Sequence, residues 1–336
     1  MLRLLKPLDE RMSIKLLLRV WGPRVEFLVR LILVATFFDD SLRTATHFSE
    51  HVKQVSEQGL AALMSPDLAD AVAGAALGFG VLAQSLGSIC LLALVQTDFA
   101  TKALLGWAVA QPVLYAQLSN GEFVAESLSL VGGLLMLRAH LAASDQPDGE
   151  LGKSTTRAAA ARTQLLGRLL LPTGHLHHAG TLLLSMSTYE VTDSLLTFVG
   201  SLSMFVVHAA VLMALVLGCA LVAAGLKSRT AALSLALVNL GVVCSQHPFF
   251  RFAWYDVGGE WTYDEAEMRK SSLSAALQAG VLKHDIEPWQ MYDLHRYYFF
   301  QGLSASGALL LLAQFGPGEI SVEEETLLPV FEKEIA

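Results

Sequence analysis

Two histidines and a glutamate form the first group of residues that could do chemistry. His47, Glu50 and His51 have the spacing H-x-x-E-H, which is also the pattern of inverted zinc proteases. On a helix the two imidazoles lie one turn apart, so they could share a zinc ion while Glu50 acts as the base. A third ligand and a soluble catalytic domain would also be needed, and the sequence indicates neither. The pattern favours a solvated helix in a loop, with no catalytic or metal-binding residue.

A second group, His175, His177 and His178, follows Pro172 in a stretch without charged residues. Ionisable groups within a membrane span are functional candidates, so a metal site or a proton relay is one interpretation. The spacings do not place all three rings on one helix face, which favours neutral histidines facing the interior or the interface. Glu126 has three interpretations: a protonated carboxyl, a pair with another helix, or a position among the lipid headgroups, which we favour.

A third group, Asp39, Asp40 and Arg43, lies where an apolar segment ends. Asp40 and Arg43 are three residues apart, so on a continuing helix they share a face and can form an ion pair. An exposed pair would contribute only about 0–1 kcal/mol to stability. An enclosed pair would matter more, because removing one partner leaves the other charge buried alone.

The elements that must position these residues are apolar helices. Of the 336 residues, 53% are hydrophobic and only 16% are charged, against roughly 25% in a typical soluble protein. Six stretches contain no Asp, Glu, Lys or Arg, and each is close to or above the roughly 20 residues that cross a bilayer: 71–97, 103–121, 169–189, 194–226, 230–250 and 297–318. Two weaker spans, 27–38 and 123–141, bring the number to eight. The composition predicts an all-α, polytopic transmembrane bundle, and with the net charge of -8 it excludes a nucleic-acid binder.

The distribution of basic residues predicts the orientation. With both ends in the cytoplasm, sixteen Lys and Arg side chains lie on the cytoplasmic side and seven on the other, as the positive-inside rule requires. This layout consists of a basic cytoplasmic segment 1–24, a bundle 25–318 with lumenal loops 39–70 and 251–296 and a cytoplasmic linker 144–168, and an acidic cytoplasmic tail 319–336. The aromatic-rich loop 251–296 suits the membrane interface, and its middle could form a short helix there.

Five glycines within the spans predict close contacts between helices: Gly74, Gly78, Gly132, Gly133 and Gly307. A residue without a side chain lets two helix backbones approach each other, and Gly74 and Gly78 form the G-x-x-x-G pattern.

Four blocks of sequence, in order, resemble the Surfeit-locus protein four family, whose yeast members are cargo receptors of endoplasmic reticulum vesicles. The first block contains Thr36, Phe37, Asp39, Asp40, Arg43, Phe48, Ser49 and Glu50; the second contains Gln84 and Gly87; the third contains Gly225, Lys227, Ser228 and Arg229; the fourth contains Tyr297, Phe299, Phe300, Gln301, Ser304, Gly307, Gly316, Pro317, Gly318 and Ser321. The resemblance covers roughly residues 25–325.

The resemblance implies a receptor in the endoplasmic reticulum membrane that cycles to the Golgi and its intermediate compartment. Such a receptor binds soluble secretory cargo in the lumen, often through the N-terminal residues of the cargo, and enters COPII-coated vesicles. It implies no cofactor, no enzyme activity, and COPII and COPI coat components as partners besides the lipid bilayer. Because a protonated α-amino group needs a negative site, we expect cargo to bind near Asp39, Asp40, Arg43 and Glu50. An equally weighted alternative is that Asp40 and Arg43 only fasten the helix end.

The chain also departs from the family pattern. The tail contains only Lys333 where the family has a lysine-rich retrieval signal, and segments 170–195 and 251–290 are longer than usual. Two other classes therefore remain open: a subunit of a DoxX-like membrane oxidoreductase, and a structural subunit of a large membrane complex.

Overall fold

The computed structural model describes residues 6–60, 63–144, 150–187, 195–255, 261–270 and 288–322. These residues form eleven α-helices and one short β-hairpin. The helices are α1 (Lys6–Thr46), α2 (Phe48–Val55), α3 (Pro66–Ala93), α4 (Thr97–Leu114), α5 (Gly121–Ser144), α6 (Glu150–Leu170), α7 (Thr173–Ser187), α8 (Leu195–Ala224), α9 (Ser228–Gln246), α10 (Glu265–Lys270) and α11 (Pro288–Phe315). A π-helical turn, Ser56–Leu60, extends α2.

Helix α11 lies at the centre of the bundle, where it packs against α1, α5 and α9. Its apolar span is 61% buried inside the protein, whereas that of α8 is only 11% buried. Because α8 is also the most apolar span, lipid is the solvent that suits its outer surface. The main core contains Leu33 and Phe37 of α1, together with Leu309 and Leu312 of α11.

Close contacts between helices occur at three of the five predicted glycines. A Cβ atom added at Gly307 would lie 2.6 Å from the backbone nitrogen of Leu33, so α1 and α11 touch directly there. Gly132 and Gly133 likewise meet α6 and α11. The prediction is wrong for Gly78, which has nothing within 4 Å of its added Cβ, and for Gly74, which meets only one side-chain atom, 3.9 Å away. Both belong to α3, whose contact with α4 uses Gly80 and Gly87 instead.

Five of the described helices are long and apolar enough to cross a membrane: α3, α5, α8, α9 and α11. The predicted span 27–38 lies within α1, and the span 103–121 is helical only as far as Leu114. One continuous helix over 169–189 is wrong, because the chain turns between Leu170 and Thr173. Pro172 explains this break, since proline lacks a backbone N–H and its ring clashes with the preceding turn. The number of eight spans and their orientation remain predictions.

The predicted linker 144–168 and the predicted loop 251–296 also contain regular structure. Within 144–168, residues from Glu150 onwards form most of α6. Within 251–296, strand β1 (Ala253–Tyr255) pairs antiparallel with β2 (Trp261–Tyr263), and α10 follows. The predicted interfacial helix thus begins within α10, while residues 271–287 and the end of the acidic tail lie outside the described residues.

Candidate functional site

The candidate site is a network of ion pairs where α1, α4 and α11 meet. We call this end of the bundle, which carries Asp39, Asp40 and Asp293, the predicted lumenal end. Arg43 Nη2 donates to Asp40 Oδ1 at 2.7 Å, and its Nη1 donates to Asp293 Oδ2 at 2.8 Å. The predicted pairing of Asp40 with Arg43 is therefore confirmed. These three side chains are only 4–14% exposed, so each charge depends on its partners for stabilisation.

Asp39 belongs to the same network through a different arginine. Arg296 Nε, on α11, donates to Asp39 Oδ1 at 2.6 Å. The second oxygen, Asp39 Oδ2, is buried and accepts no hydrogen bond from the described residues. Buried carboxylate oxygens nearly always have a donor, so Oδ2 is an acceptor that the described residues leave unsatisfied. With all groups ionised, the three carboxylates and two guanidinium groups of the network leave one net negative charge.

Asp40 and Arg43 are held further by aromatic and amide side chains. Asp40 Oδ2 accepts hydrogen bonds from Trp107 Nε1 at 3.4 Å and from Gln111 Nε2 at 3.1 Å. These donors are four residues apart, on one face of α4. The Arg43 guanidinium also lies 5.1 Å from the centre of the Tyr297 ring, within the range of a cation–π contact. Asp40 therefore has an internal partner on both oxygens.

The sequence analysis did not assign to this site the residues that complete the network: Trp107, Gln111, Asp293, Arg296 and Tyr297. Gln111 could have been identified from the sequence, because an amide inside an apolar run requires a hydrogen-bonding partner. The pairing of Asp293 and Arg296 could not have been predicted, because their partners are 250 and 257 residues away in the sequence.

Glu50 does not join the network. Its side chain is exposed on α2, and its Oε2 accepts a hydrogen bond from Ser49 Oγ at 2.9 Å. Hydrogen bonds from its own backbone N–H and from Ser49 lower the pKa of Glu50. Glu50 is therefore ionised at neutral pH and contributes a solvated negative charge beside the network.

His47 and His51 contact different elements. The His47 ring stacks on Trp289 of α11, with 4.8 Å between ring centres, whereas His51 Nδ1 hydrogen-bonds to the Tyr115 hydroxyl at 3.2 Å. Among the described residues, no group of three or more His, Cys, Asp or Glu side chains is arranged to hold a metal ion. The third ligand of the zinc-protease interpretation is therefore missing from the part of the chain that the structure describes.

A second polar cluster lies between α5 and α7. His178 Nε2 is 3.2 Å from Glu126 Oε1, and the Glu126 side chain is only 12% exposed. Of the three interpretations of Glu126, pairing with another helix is confirmed, and the position among the headgroups remains a prediction. His175 is buried, and its Nε2 has no hydrogen-bond partner among the described residues. That the three histidines do not share one face remains a prediction.

The opposite end of the bundle, which we call the predicted cytoplasmic end, contains a clamp on the last described segment. Arg168 of α6 is buried and donates to the backbone oxygens of Ala223, Pro317 and Ile320 at 3.2, 2.6 and 2.7 Å. Gly225 adopts φ +73°, and an added Cβ would lie 2.7 Å from Arg168 Nη1. Gly225 lies in the turn between α8 and α9. A side chain at this position would collide with Arg168, which holds the segment after α11 in place.

The remaining residues of the family motifs lie mainly in helix contacts. Ser304 Oγ accepts from the backbone N–H of Thr36 and donates to the carbonyl of Ile32, which joins α11 to α1. The other motif residues are buried, half-buried or at helix ends. They are Phe37 in the core, Gln84 and Gln301 as buried amides, Gly87 against Leu104, Lys227 preceding α9, the half-buried Phe299 and Phe300 against the Phe249 ring, and Gly316 and Gly318 at positive φ.

These features define a polytopic helical membrane protein with enclosed polar clusters at both ends of the bundle. The profile of the SURF4 family matches residues 13–247 and 286–327, which is most of the chain. The chain therefore belongs to the SURF4 family. The match omits 248–285, which overlaps the segment that the sequence analysis found to be longer than usual in the family.

Named relatives match over nearly the whole chain. The ER-derived vesicles protein ERV29 of Saccharomyces cerevisiae is 23% identical over 304 residues, which cover 90% of this chain and 77% of the relative. The Surfeit locus protein 4 homologs of Schizosaccharomyces pombe and Drosophila melanogaster are each 25% identical, and they cover 90% and 88% of this chain and 82% and 87% of their own lengths. No solved structure matches this chain.

Proposed function

We propose that this protein is a cargo receptor of the endoplasmic reticulum membrane. It binds soluble secretory proteins in the lumen, enters COPII-coated vesicles with them, and returns from the Golgi or its intermediate compartment through COPI. The observation that carries the proposal is membership of the SURF4 family, one of whose named relatives is an ER-derived vesicles protein. The proposed activity is binding and transport, and it assigns no chemical step to any residue.

The cargo site in this proposal is the ion-pair network at the predicted lumenal end. Its net negative charge suits a cationic group such as a protonated α-amino terminus. Asp39 Oδ2 supports this placement, because it is a buried carboxylate oxygen with no donor among the described residues. Enclosure in the bundle strengthens an ionic contact, because the local dielectric is lower than that of water. Glu50 adds a solvated charge that attracts the cationic group before it binds.

Lumenal proximity labelling tests the receptor function. A labelling enzyme fused to this protein on its lumenal side should mark a set of secretory proteins, and the same proteins should accumulate in the endoplasmic reticulum when the gene is deleted. The control is the same enzyme fused to an unrelated lumenal membrane protein. Secretion that proceeds normally without this protein, for every labelled candidate, would exclude the receptor function.

A matched pair of charge reversals tests the placement of the site. Glu50→Lys changes an exposed carboxylate beside the network, and Glu57→Lys makes the same change on the following exposed turn. Neither change removes a buried contact, so both variants should accumulate normally. We expect export of the labelled cargo to fall by about two- to fivefold in Glu50→Lys, as for loss of an exposed ionic contact, and to be unchanged in Glu57→Lys. Equal export by both variants would argue against this site.

A further inference from the structure

The segment that follows α11 is the starting point of the inference, because no residue of the proposed cargo site belongs to it. We call residues 316–322 the strap. Two of its carbonyls accept hydrogen bonds from Arg168, and the Val322 N–H donates to the Ala224 carbonyl at 3.2 Å. The strap is therefore held against α6 and the end of α8 at the predicted cytoplasmic end of the bundle.

Arg168, which holds the strap, is a buried cation. It is 2% exposed, and its guanidinium forms no ion pair with a carboxylate in the part of the chain that the structure describes. Its three hydrogen bonds go to backbone carbonyls and use three of its five N–H donors. Because a buried charge is costly without an opposite charge beside it, Arg168 has both the charge and the donors to bind an anion.

Ser321 of the strap lies next to this guanidinium. The position of a Cβ added at Gly225 is 2.7 Å from Arg168 Nη1 and also 2.7 Å from Ser321 Cβ, so these two atoms lie within twice that distance of each other. A phosphate on Ser321 Oγ carries its outer oxygens two bonds beyond Oγ, which is far enough to meet the guanidinium. Ser321 is half-buried, whereas its neighbours Ile320 and Val322 are exposed at the surface.

The residues after Ser321 have the pattern of a kinase substrate. Val322 is followed by Glu323, Glu324 and Glu325, and no other serine of the sequence has three consecutive acidic residues among the four that follow it. Kinases select substrates by complementary charge, and a kinase with a basic substrate groove binds such a run of carboxylates. The predicted orientation places the strap in the cytoplasm, where ATP is available.

From these observations we infer that Ser321 is a phosphorylation site, and that its phosphate pairs with Arg168 and locks the strap onto α6 and α8. In the reaction the γ-phosphorus of ATP forms a bond to Ser321 Oγ, and its bond to the β–γ bridging oxygen breaks. ADP leaves, and the hydroxyl proton passes to the catalytic base of the kinase. The kinase reaches Ser321 when the strap opens locally, and the phosphate then returns to Arg168 as a charge-assisted pair.

Mass spectrometry tests the modification on full-length protein purified, with phosphatase inhibitors present, from the cells that express it. Chymotrypsin cleaves after Phe315, and the peptide that follows should carry one phosphate on Ser321. The triple variant Glu323→Gln, Glu324→Gln, Glu325→Gln should lose this phosphate, because the kinase no longer recognises the segment. A wild-type peptide without phosphate, or with phosphate only on another residue, would overturn the inference.

Phosphorus NMR tests the contact with the guanidinium. The full-length protein with Ser321→phosphoserine, made by genetic code expansion, is purified in a detergent that contains no phosphorus. A cation beside the phosphate favours its doubly charged form, whose pKa is ordinarily about 6. We expect this pKa to be lower by about one unit or more in the protein than in a phosphorylated synthetic peptide of residues 316–327. An equal pKa in protein and peptide would overturn the inference.

Variants of three arginines identify the cation that pairs with the phosphate. Arg157 pairs with Glu319 of the strap, and a Cβ added at Gly316 would lie 2.9 Å from Arg229 Nη2. Arg168→Gln should raise the phosphate pKa to that of the peptide, whereas Arg157→Gln and Arg229→Gln should leave it low. The reverse pattern would exclude Arg168 as the partner. Because Arg168→Gln also breaks the clamp, the comparison of protein with peptide, which needs no variant, decides by itself whether a cation holds the phosphate.

The melting temperature of the same phosphorylated protein measures the lock. A phosphate that pairs with a buried guanidinium stabilises the folded clamp, so we expect a Tm about 2 °C or more above that of the protein with Ser321. An unchanged or lower Tm would show that the phosphate does not lock the strap. None of these measurements uses cargo, so their results and those of lumenal proximity labelling are independent.

Discussion

Arg43 is the single residue on which most of the ion-pair network depends. It bridges Asp40 of its own helix and Asp293 of α11, and it lies over the Tyr297 ring. A buried cation that holds two carboxylates contributes to stability mainly because its removal leaves both charges without compensation. Arg43 therefore has a structural role whether or not cargo binds nearby.

We predict that Arg43→Gln destabilises the protein by about 3 kcal/mol, the lower part of the range for breaking a buried pair. The measurements are the melting temperature of the purified protein and its half-life in a pulse–chase experiment. Lys53→Gln is the control, because Lys53 is 73% exposed and 3.9 Å from Glu57. A half-life of Arg43→Gln equal to that of Lys53→Gln would show that solvent stabilises these carboxylates.

The exchange of two charges, Asp40→Arg with Arg43→Asp, would disturb more contacts than the Asp40–Arg43 pair itself. After the exchange, an aspartate at position 43 would face Asp293, and an arginine at position 40 would face the donors of Trp107 and Gln111. We therefore predict that the exchanged protein accumulates poorly, which an immunoblot of its steady-state level measures. Accumulation at the wild-type level would show that the site rearranges around the reversed pair.

At the level of the elements, the contact between α1 and α11 is close enough to be tested by adding one methyl group. We predict that Gly307→Ala destabilises the protein by about 1–3 kcal/mol, as overpacked sites do, because the new Cβ meets the backbone of α1. Gly78→Ala is the matched control, since it has open space around the added atom. The melting temperatures of the two variants test this prediction. An equal decrease in melting temperature in Gly78→Ala and Gly307→Ala would contradict it.

The helices were more predictable from sequence than their contacts. Long runs without charge predicted α3, α8, α9 and α11, because covering about 30 Å of hydrocarbon requires an apolar surface. The Asp40–Arg43 pair was also predictable, because a spacing of three is a local property of a helix. By contrast, the pairs of Arg43 with Asp293 and of Glu126 with His178 depend on tertiary packing, which one sequence does not determine. The break at Pro172 was accessible from proline chemistry alone.

At the level of the whole molecule, the orientation in the membrane can be tested with glycosylation acceptor tags. The sixteen-to-seven distribution of basic residues predicts that tags in the loops 39–70 and 251–296 reach the lumen. We place the first at the exposed turn around position 64, because Val55 is fully buried, and the second near position 275. Both should be glycosylated, and a tag near position 150 should not. Glycosylation of the tag near position 150 alone would show that the protein has the opposite orientation.

Retention in the endoplasmic reticulum should not depend on the end of the tail. Because Lys333 is the single lysine in residues 319–336, we predict that replacing residues 332–336 with a neutral sequence leaves the distribution unchanged, as measured by fluorescence microscopy. Arg168 binds the carbonyls of Pro317 and Ile320, and the Val322 N–H donates to the Ala224 carbonyl, so the replacement begins ten residues after these contacts. Movement of the variant to the Golgi or cell surface would identify the acidic tail as a retention signal.

The pairing of α1 with α11 also determines when, during synthesis, the helix bundle can finish folding. Asp39 and Arg43 are translated about 250 residues before Arg296 and Asp293, the partners that neutralise them. At roughly 5–20 residues per second, the ribosome needs about 10–50 s to cover that distance. Throughout this interval Asp39 lacks the guanidinium group that neutralises it, and Arg43 has only Asp40 of its own helix as a partner. The bundle closes only after its last helix is released, and assembly of this protein is therefore largely post-translational.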